Sequence, residues 1–294
     1  MPPRVTVGLP VYEGKRFLAG ALDSLLAQDF DDFEVIVSDN GSTDGSADLA
    51  ADYAARDGRV HVVRGFRNVG AARNFNRVFE LGRGELFTWA ACDDRHAPTW
   101  MARCVEALDA DPGAVLAYTR ALDVDEAGNV LGPVDFELAT DDPDPARRFG
   151  EAVLRPHPCF QVFGVIRADV LAMTQLLGPY SGSDRVLLAD LALRGRFVEI
   201  PERLFLHGEH PDRSVNVHYY EHERYAWFDP RRASLTAFPN WRLLGEYARV
   251  VHRAPLSRDD RRRAYARLGP WIGRFGKELA RDLARPVRRV LTSP

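Results

Sequence analysis

Cysteine is scarce in this chain, with three residues in 294. Cys92, Cys104 and Cys159 are odd in number and show no metal-type spacing. A disulfide framework is therefore not expected, and a reducing compartment is. No run of about 18 apolar residues is present to span a bilayer. The opening MPPRVTVGLPVYEG lacks the charged and then apolar order of a secretory signal, so the expected location is cytoplasmic. Two nucleotide signatures are also missing. No G-x-G-x-x-G follows the first apolar run, which removes the main support for a nicotinamide or flavin site, and no G-x-x-x-x-G-K-[ST] marks a P-loop. Internal repeats and low-complexity segments are absent.

What is present is the composition of a soluble globular protein, 46% hydrophobic and 28% charged, long enough for one large or two ordinary domains. The net charge of −3 hides an asymmetry. From Leu256 onward there are 11 basic and 4 acidic residues, a net +7, so the preceding 255 residues sum to −10. A basic tail on an acidic body suits an anionic surface. Nucleic acid is not an expected partner, because the acidic body would repel it. In the tail, Tyr265, Leu268, Trp271, Ile272, Phe275, Leu279 and Leu283 recur at helical spacing among arginines. An interfacial helix, a helix on its own domain and a helix at a homodimer contact all fit that pattern.

The first half alternates strand and helix. Apolar, β-branched runs at 5–11, 33–37 and 60–63 read as strands, and 84–92 as a fourth. Stripes of helical period at 16–28, 47–55 and 70–81 lie between them, with Ser42, Thr43 or Asp44 as cap of the second. Such alternation predicts a mostly parallel sheet covered on both faces. Acids then fall at the carboxyl ends of three strands: Glu13, Asp39 and the pair Asp93-Asp94. That edge is where open α/β sheets bind ligands. Adjacent carboxylates suit a hard divalent cation, magnesium or manganese, that itself carries a phosphate.

At this point the chain resembles the family 2 glycosyltransferases of the GT-A fold. The resemblance rests on an ordered set: Pro10-Val-Tyr-Glu-Gly14, Ala21-Leu-Asp-Ser-Leu-Leu-Ala-Gln28, Val37-Ser-Asp-Asn-Gly-Ser-Thr-Asp44, Asn68-Val-Gly-Ala-Ala-Arg-Asn74 and Cys92-Asp-Asp94. It is continuous over 4–125 and weaker over 155–215. It implies a Rossmann-like α/β sandwich divided into a nucleotide-sugar half (1–125), an acceptor half with the base (126–218) and a helical basic extension (219–294). The implied activity is transfer from a nucleoside-diphosphate sugar to an acceptor hydroxyl, with inversion and a divalent cation. Glycan, lipid-linked and small-molecule acceptors all remain open. A nucleotide-sugar-binding relative without turnover and a sugar-1-phosphate nucleotidyltransferase are the alternatives, and the latter lacks its Gly-rich basic loop.

The resemblance also implies residue roles. Pro10, Tyr12 and Glu13 border the nucleoside, Asp39 accepts from the base, and Arg73 lies near base or diphosphate. Asn68 and Gly70 belong to the donor site, Asp93 contacts the ribose, and Asp94 and His210 hold the metal. Asp184 is the general base, in a segment with serine where glutamate is usual. Two departures stand out: Ala91 replaces the first acid of an Asp-x-Asp-Asp pattern, and Glu13 stands where asparagine is frequent. His207 occupies a position where arginine is common. Asp190 is expected at the surface, the pair His218 and His222 as incidental, and Trp227, Phe228, Trp241 and Tyr247 in an acceptor groove or in the core.

Overall fold

β1 (Val5–Val11) is buried along its whole length, as an apolar strand covered on both faces must be. It pairs in parallel with β2 (Phe33–Asp39) and β4 (Leu86–Trp89), and β2 pairs in parallel with β3 (Val60–Arg64). The remaining strands are β5 (Arg95–His96), β6 (Ala114–Val124), β7 (Val130–Val134), β8 (Val165–Arg167) and β9 (Arg196–Gly208). They complete a nine-stranded sheet in the order β3-β2-β1-β4-β8-β6-β9-β5, with β7 on β6. This is a computed structural model, and it describes residues 2–213, 226–230 and 238–291, with side chains up to 284. The sheet is parallel through β4 and again between β6 and β9, while β8, β7 and β5 run antiparallel to their neighbours.

Alternation along the strands separates two cores. Val5, Val7, Leu9 and Val11 face α1 (Lys15–Leu26), α2 (Ser46–Arg56) and α4 (Trp100–Ala110). Phe87 and Trp89 face the other side, with α3 (Ala71–Leu81), α5 (Pro145–Leu154) and α7 (Ser183–Arg194); a short α6 (Ala168–Ala172) follows β8. The chain's last part forms α8 (Pro239–Arg253), α9 (Arg258–Ala266) and α10 (Leu268–Leu291), the last kinked at Phe275. Leu268, Trp271 and Leu279 are buried against this second core, so the inward stripe of the tail packs on its own domain. Tyr265, Ile272 and Leu283 of the same sequence pattern are exposed.

Two expectations need correction. β4 ends at Trp89 rather than Cys92: after Ala90 N donates to Gly8 O, the chain leaves the β1 ladder and turns to reach β9 through β5. Asp190 is not at the surface. α7 is enclosed by α5 and α8, and Asp190 is 3% exposed, ion-paired with Arg194 at 2.8 Å. Burial pushes its carboxyl above the usual range, against the pull of Arg194. Tyr247 is core, and Trp241 lies on the surface at the start of α8. His218 and His222 fall outside the described residues.

Removing one partner of a buried pair leaves the other charge uncompensated. Asp190→Ala should therefore lower unfolding stability by about 3–5 kcal/mol in urea titrations. Replacing both residues, Asp190→Leu with Arg194→Met, should restore most of that loss.

Candidate active site

The register sets the edge of the site. Val11 lies opposite Asp39 and Asp39 opposite Arg64, so β1, β2 and β3 end at one level, while β4 leaves the ladder three residues earlier, at Trp89 opposite Gly8. Beyond them is a cavity of about 400 Å³, whose wall includes Pro10, Tyr12, Asn68, Asp93, Asp94 and Asp184. Six of the eleven residues given a site role from sequence are thus brought together. Glu13, Asp39, Gly70, Arg73 and His210 do not line that cavity.

The first wall is built by side chains that hold backbone. The Asp39 carboxylate is 2% exposed and accepts from the amides of Gly41 (3.0 Å) and Ser42 (3.2 Å). Glu13 has a left-handed backbone, φ 51°, uncommon for a residue other than glycine or asparagine. Its carboxylate accepts from the amide of Thr43 at 2.8 Å, clamping β1's loop onto β2's. Asp44 accepts from the amides of Lys15 and Ser46, but it does not cap α2, whose N-cap is Gly45 in the left-handed region. Asn68 Oδ1 accepts from Gly70 N (2.8 Å) and Asn40 Nδ2 (3.0 Å). Asn74 is buried and bridges α3 to β2 through Ser38. Gly70 is demanded twice, by φ 93° and because a Cβ there would lie 2.3 Å from the Phe228 carbonyl oxygen. Phe228 and Trp227 close the cavity at that point. Arg73 is exposed on the first turn of α3.

The acid pair sits where β4's extension meets the end of β9. Asp94 is buried, and its Oδ1 accepts from Gly208 N at 2.9 Å. A Cβ on Gly208 would come within 2.1 Å of Asp93 O, so the two segments touch backbone to backbone. Burial first, and then the charge of Asp93, push the Asp94 carboxyl well above its usual range. Crowded oxygens of this kind fit a hard divalent cation, which relieves both causes of the shift.

The histidines are arranged differently from the expectation. His210 does not meet Asp94: its Nε2 lies 3.1 Å from Asp93 Oδ2 and its ring packs on Phe17 at 4.2 Å. It lines a separate, smaller cavity beyond Asp93. His207 lines the main cavity. Its Nε2 is 2.8 Å from Arg213 Nη2, a group that only donates, so Nδ1 carries the proton and donates to Asp123 Oδ1 at 2.8 Å. Asp123, His207 and Glu209 offer ligand atoms within 4.8 Å of one another. Arg213 already bonds both Glu209 and His207.

Asp184 lies in the first turn of α7, half-buried, its Oδ1 accepting from Arg185 N at 2.8 Å. The positive end of the helix favours its ionised form. Ser183 beside it is buried, and its hydroxyl has no hydrogen-bond partner among the described residues. Arg185 fixes the neighbouring loop by donating to the carbonyls of Arg155 and His157. His157 is neutral there, because Nδ1 accepts from Cys159 N at 3.2 Å and Nε2 donates to Ala152 O at 3.1 Å. Between Asp184 and the strand-end acids the wall is apolar: Phe75, Phe160, Val162, Phe163 and Leu177. Arg213 and this apolar wall had not been singled out, and Ser183 only as the serine that stands where glutamate is usual. Arg213 and Ser183 were visible as types, but nothing in their spacing shows that they turn inward.

Comparison with known proteins adds the family. The model for glycosyl transferase family 2 matches residues 6–157. The uncharacterized glycosyltransferase EpsJ of Bacillus subtilis (strain 168) is 32% identical over 106 residues, which is 36% of this chain and 30% of EpsJ. The matched part thus spans about a third of the length of the curated relatives. Among solved structures, S. aureus TarS 1-349 in complex with UDP-GlcNAc is similar in fold, with TM-score 0.67 and 14% identity over 97% of this chain and 80% of that one. Mannosyltransferase PcManGT from Pyrobaculum calidifontis, in complex with GDP-Man and Mn2+, gives TM-score 0.55 and 18% identity over 100% of this chain and 89% of its own. At these identities the structural likeness speaks for the fold.

Burial holds the His157 ring at a pKa of about 4, below its ordinary value, with the Arg185 charge a second cause. The unfolded chain therefore takes up this proton first, and stability is lost as pH falls from about 6.5 towards 4. The loss should approach ~2–3 kcal/mol, and His157→Asn, whose Oδ1 can replace Nδ1, should remove that part of the pH dependence of the melting temperature.

Proposed function

The chain belongs to glycosyl transferase family 2, and from that premise we propose that it moves a glycosyl group from a nucleoside-diphosphate sugar to an acceptor hydroxyl with inversion. The observation that carries the proposal is a single cavity holding Asp93 and Asp94 together with Asp184 on the first turn of a helix. An attacking hydroxyl that sheds a proton needs a carboxylate to accept it, and a departing diphosphate needs a cation, which a pair of carboxylates could hold in the same enclosure.

In this proposal the acceptor hydroxyl approaches Asp184, whose Oδ1 is held by the Arg185 amide. As the acceptor oxygen bonds to the anomeric carbon, its proton passes to the Asp184 carboxylate. The bond from that carbon to the diphosphate breaks, and its electron pair leaves on the phosphate oxygen. Asp94 and Asp93 are the residues that would hold magnesium or manganese, and the chemistry such an ion supplies is neutralisation of diphosphate charge. His210 then acts on Asp93, fixing its carboxylate from the far side. Arg213 lines the cavity and supplies a cation where His207, neutral, does not. Tyr12, Pro10 and Asn68 border the nucleoside. Asp39, Glu13 and Gly70 keep that border in shape, and Arg73 is left to reach the base or diphosphate from the rim. Ser183, on the cavity wall, has a buried hydroxyl with its hydrogen-bonding capacity unused among the described residues. The division into a donor half at 1–125, an acceptor half at 126–218 and a helical extension from 219 follows the same logic.

Two measurements test the proposal. A panel of UDP-, GDP- and TDP-sugars with manganese or magnesium, read by mass spectrometry, should release nucleotide from one donor class. Release from none, together with no thermal shift by any nucleoside diphosphate, would remove the donor site. Asp184→Asn should retain the nucleotide-dependent thermal shift and lose transfer by about 10²–10⁴-fold. Undiminished turnover would assign the base elsewhere.

A further inference from the structure

Away from the cavity, large apolar side chains are exposed where α8 begins and α10 nears its end. Phe238, Trp241 and Leu283 are 37%, 43% and 55% exposed. They are held as one corner. Asn240 donates to Asp282 Oδ2 from its amide (2.8 Å) and from Nδ2 (3.2 Å), and Trp241 Nε1 donates to Leu279 O at 3.0 Å. Tying down the indole N–H leaves a rigid, half-exposed aromatic edge.

The same hydrogen bonds sort the charges. Of the two acids between 268 and 284, Asp282 is buried beneath α8 and Glu278 is half-buried. Arg274, Lys277 and Arg281 are exposed. The ten residues from 285 to 294 add three arginines and no acid. Between 268 and 284, α10 thus exposes Arg274, Lys277 and Arg281, with half-buried Glu278 the one acid besides the buried Asp282, and Leu283 emerges near the stripe that Leu279 belongs to.

We propose that this corner docks peripherally on an anionic lipid bilayer, with Trp241, Phe238 and Leu283 entering the headgroup region and Lys277 and Arg281 meeting lipid phosphates. Apolar anchors flanked by cations are what interfacial binding requires, and neither alone gives stable attachment. A second copy of the chain is the poorer occupant, because a twofold contact would set cations against cations. The acidic body, at −10 up to residue 255, is repelled by the same surface, which orients the molecule with its tail towards the lipid. Among the described residues no helix is long and apolar enough to cross a membrane, so the contact is one of surface.

The test is cosedimentation of the full chain with phosphatidylcholine vesicles, with and without phosphatidylglycerol. Binding should require phosphatidylglycerol and weaken with salt. Lys277→Glu with Arg281→Glu should reduce partitioning by about tenfold or more, and Trp241→Ser with Leu283→Ser should reduce it even at low salt. Both variants should keep the parent's nucleotide-dependent thermal shift, or, if that shift is absent in the parent too, its circular dichroism and melting temperature. Failure to bind anionic vesicles overturns the proposal, as does binding that the variants leave unchanged. If light scattering instead shows a dimer that the same variants dissociate, the corner is a subunit contact and the lipid assignment is wrong.

Discussion

The backbone contact between Gly208 and Asp93 is the constraint on which the site depends. With Asp93 O so close that no Cβ fits at 208, β9's end is pressed against the turn after β4. That contact aims Gly208 N at Asp94 and brings His207 and Arg213 to the same cavity. It also joins the parallel strands β1 to β4 to the mixed part of the sheet, since β5, two residues after Asp93, pairs with β9. A side chain at 208 would push those two halves apart and separate the acid pair from the segment that carries His207 and Arg213.

Electrostatics inside the site follow from that closeness. Asp94 is buried with one amide donor and a like charge beside it, a costly arrangement for a carboxylate. Ala91 then has a rational place. A third carboxylate at that position, on the cavity wall, would add repulsion where burial already opposes ionisation. Arg213, pulled towards Glu209 and His207, is the described cation on the wall of this cavity. A cation placed between Asp93 and Asp94 would relieve both the burial and the repulsion that raise the Asp94 carboxyl.

How much of this was legible beforehand depended on range. β1, α1 and α3 were readable because their apolar periodicity is local, and the acids at strand ends followed from them. Asp190 misled because a helix enclosed on two sides tolerates a buried ion pair, and enclosure is a property of α5 and α8 rather than of α7's own sequence. The histidines show a signal that was available. Phe205 and His207 lie two apart on β9 and so share a face, and both are buried, whereas His210 lies beyond the strand, where period two no longer applies. Position relative to the strand end, rather than likeness of motif, separates the cavity histidine from the one behind Asp93.

The apolar wall between the acids and Asp184 bears on what the cavity accepts. Phe160, Phe163 and Phe75 offer no hydrogen bonds to a fully hydroxylated face, while Ser183, Asp184 and Asn68 offer a few at defined points. Orientation in such a pocket comes from sparse polar contacts set in an apolar surround. An apolar wall of this kind also disfavours ordered water beside the carboxylates it adjoins. Phe228 completes that wall only because Gly70 lets its backbone approach, so a glycine of the Asn68–Asn74 motif shapes the far side of the pocket as well.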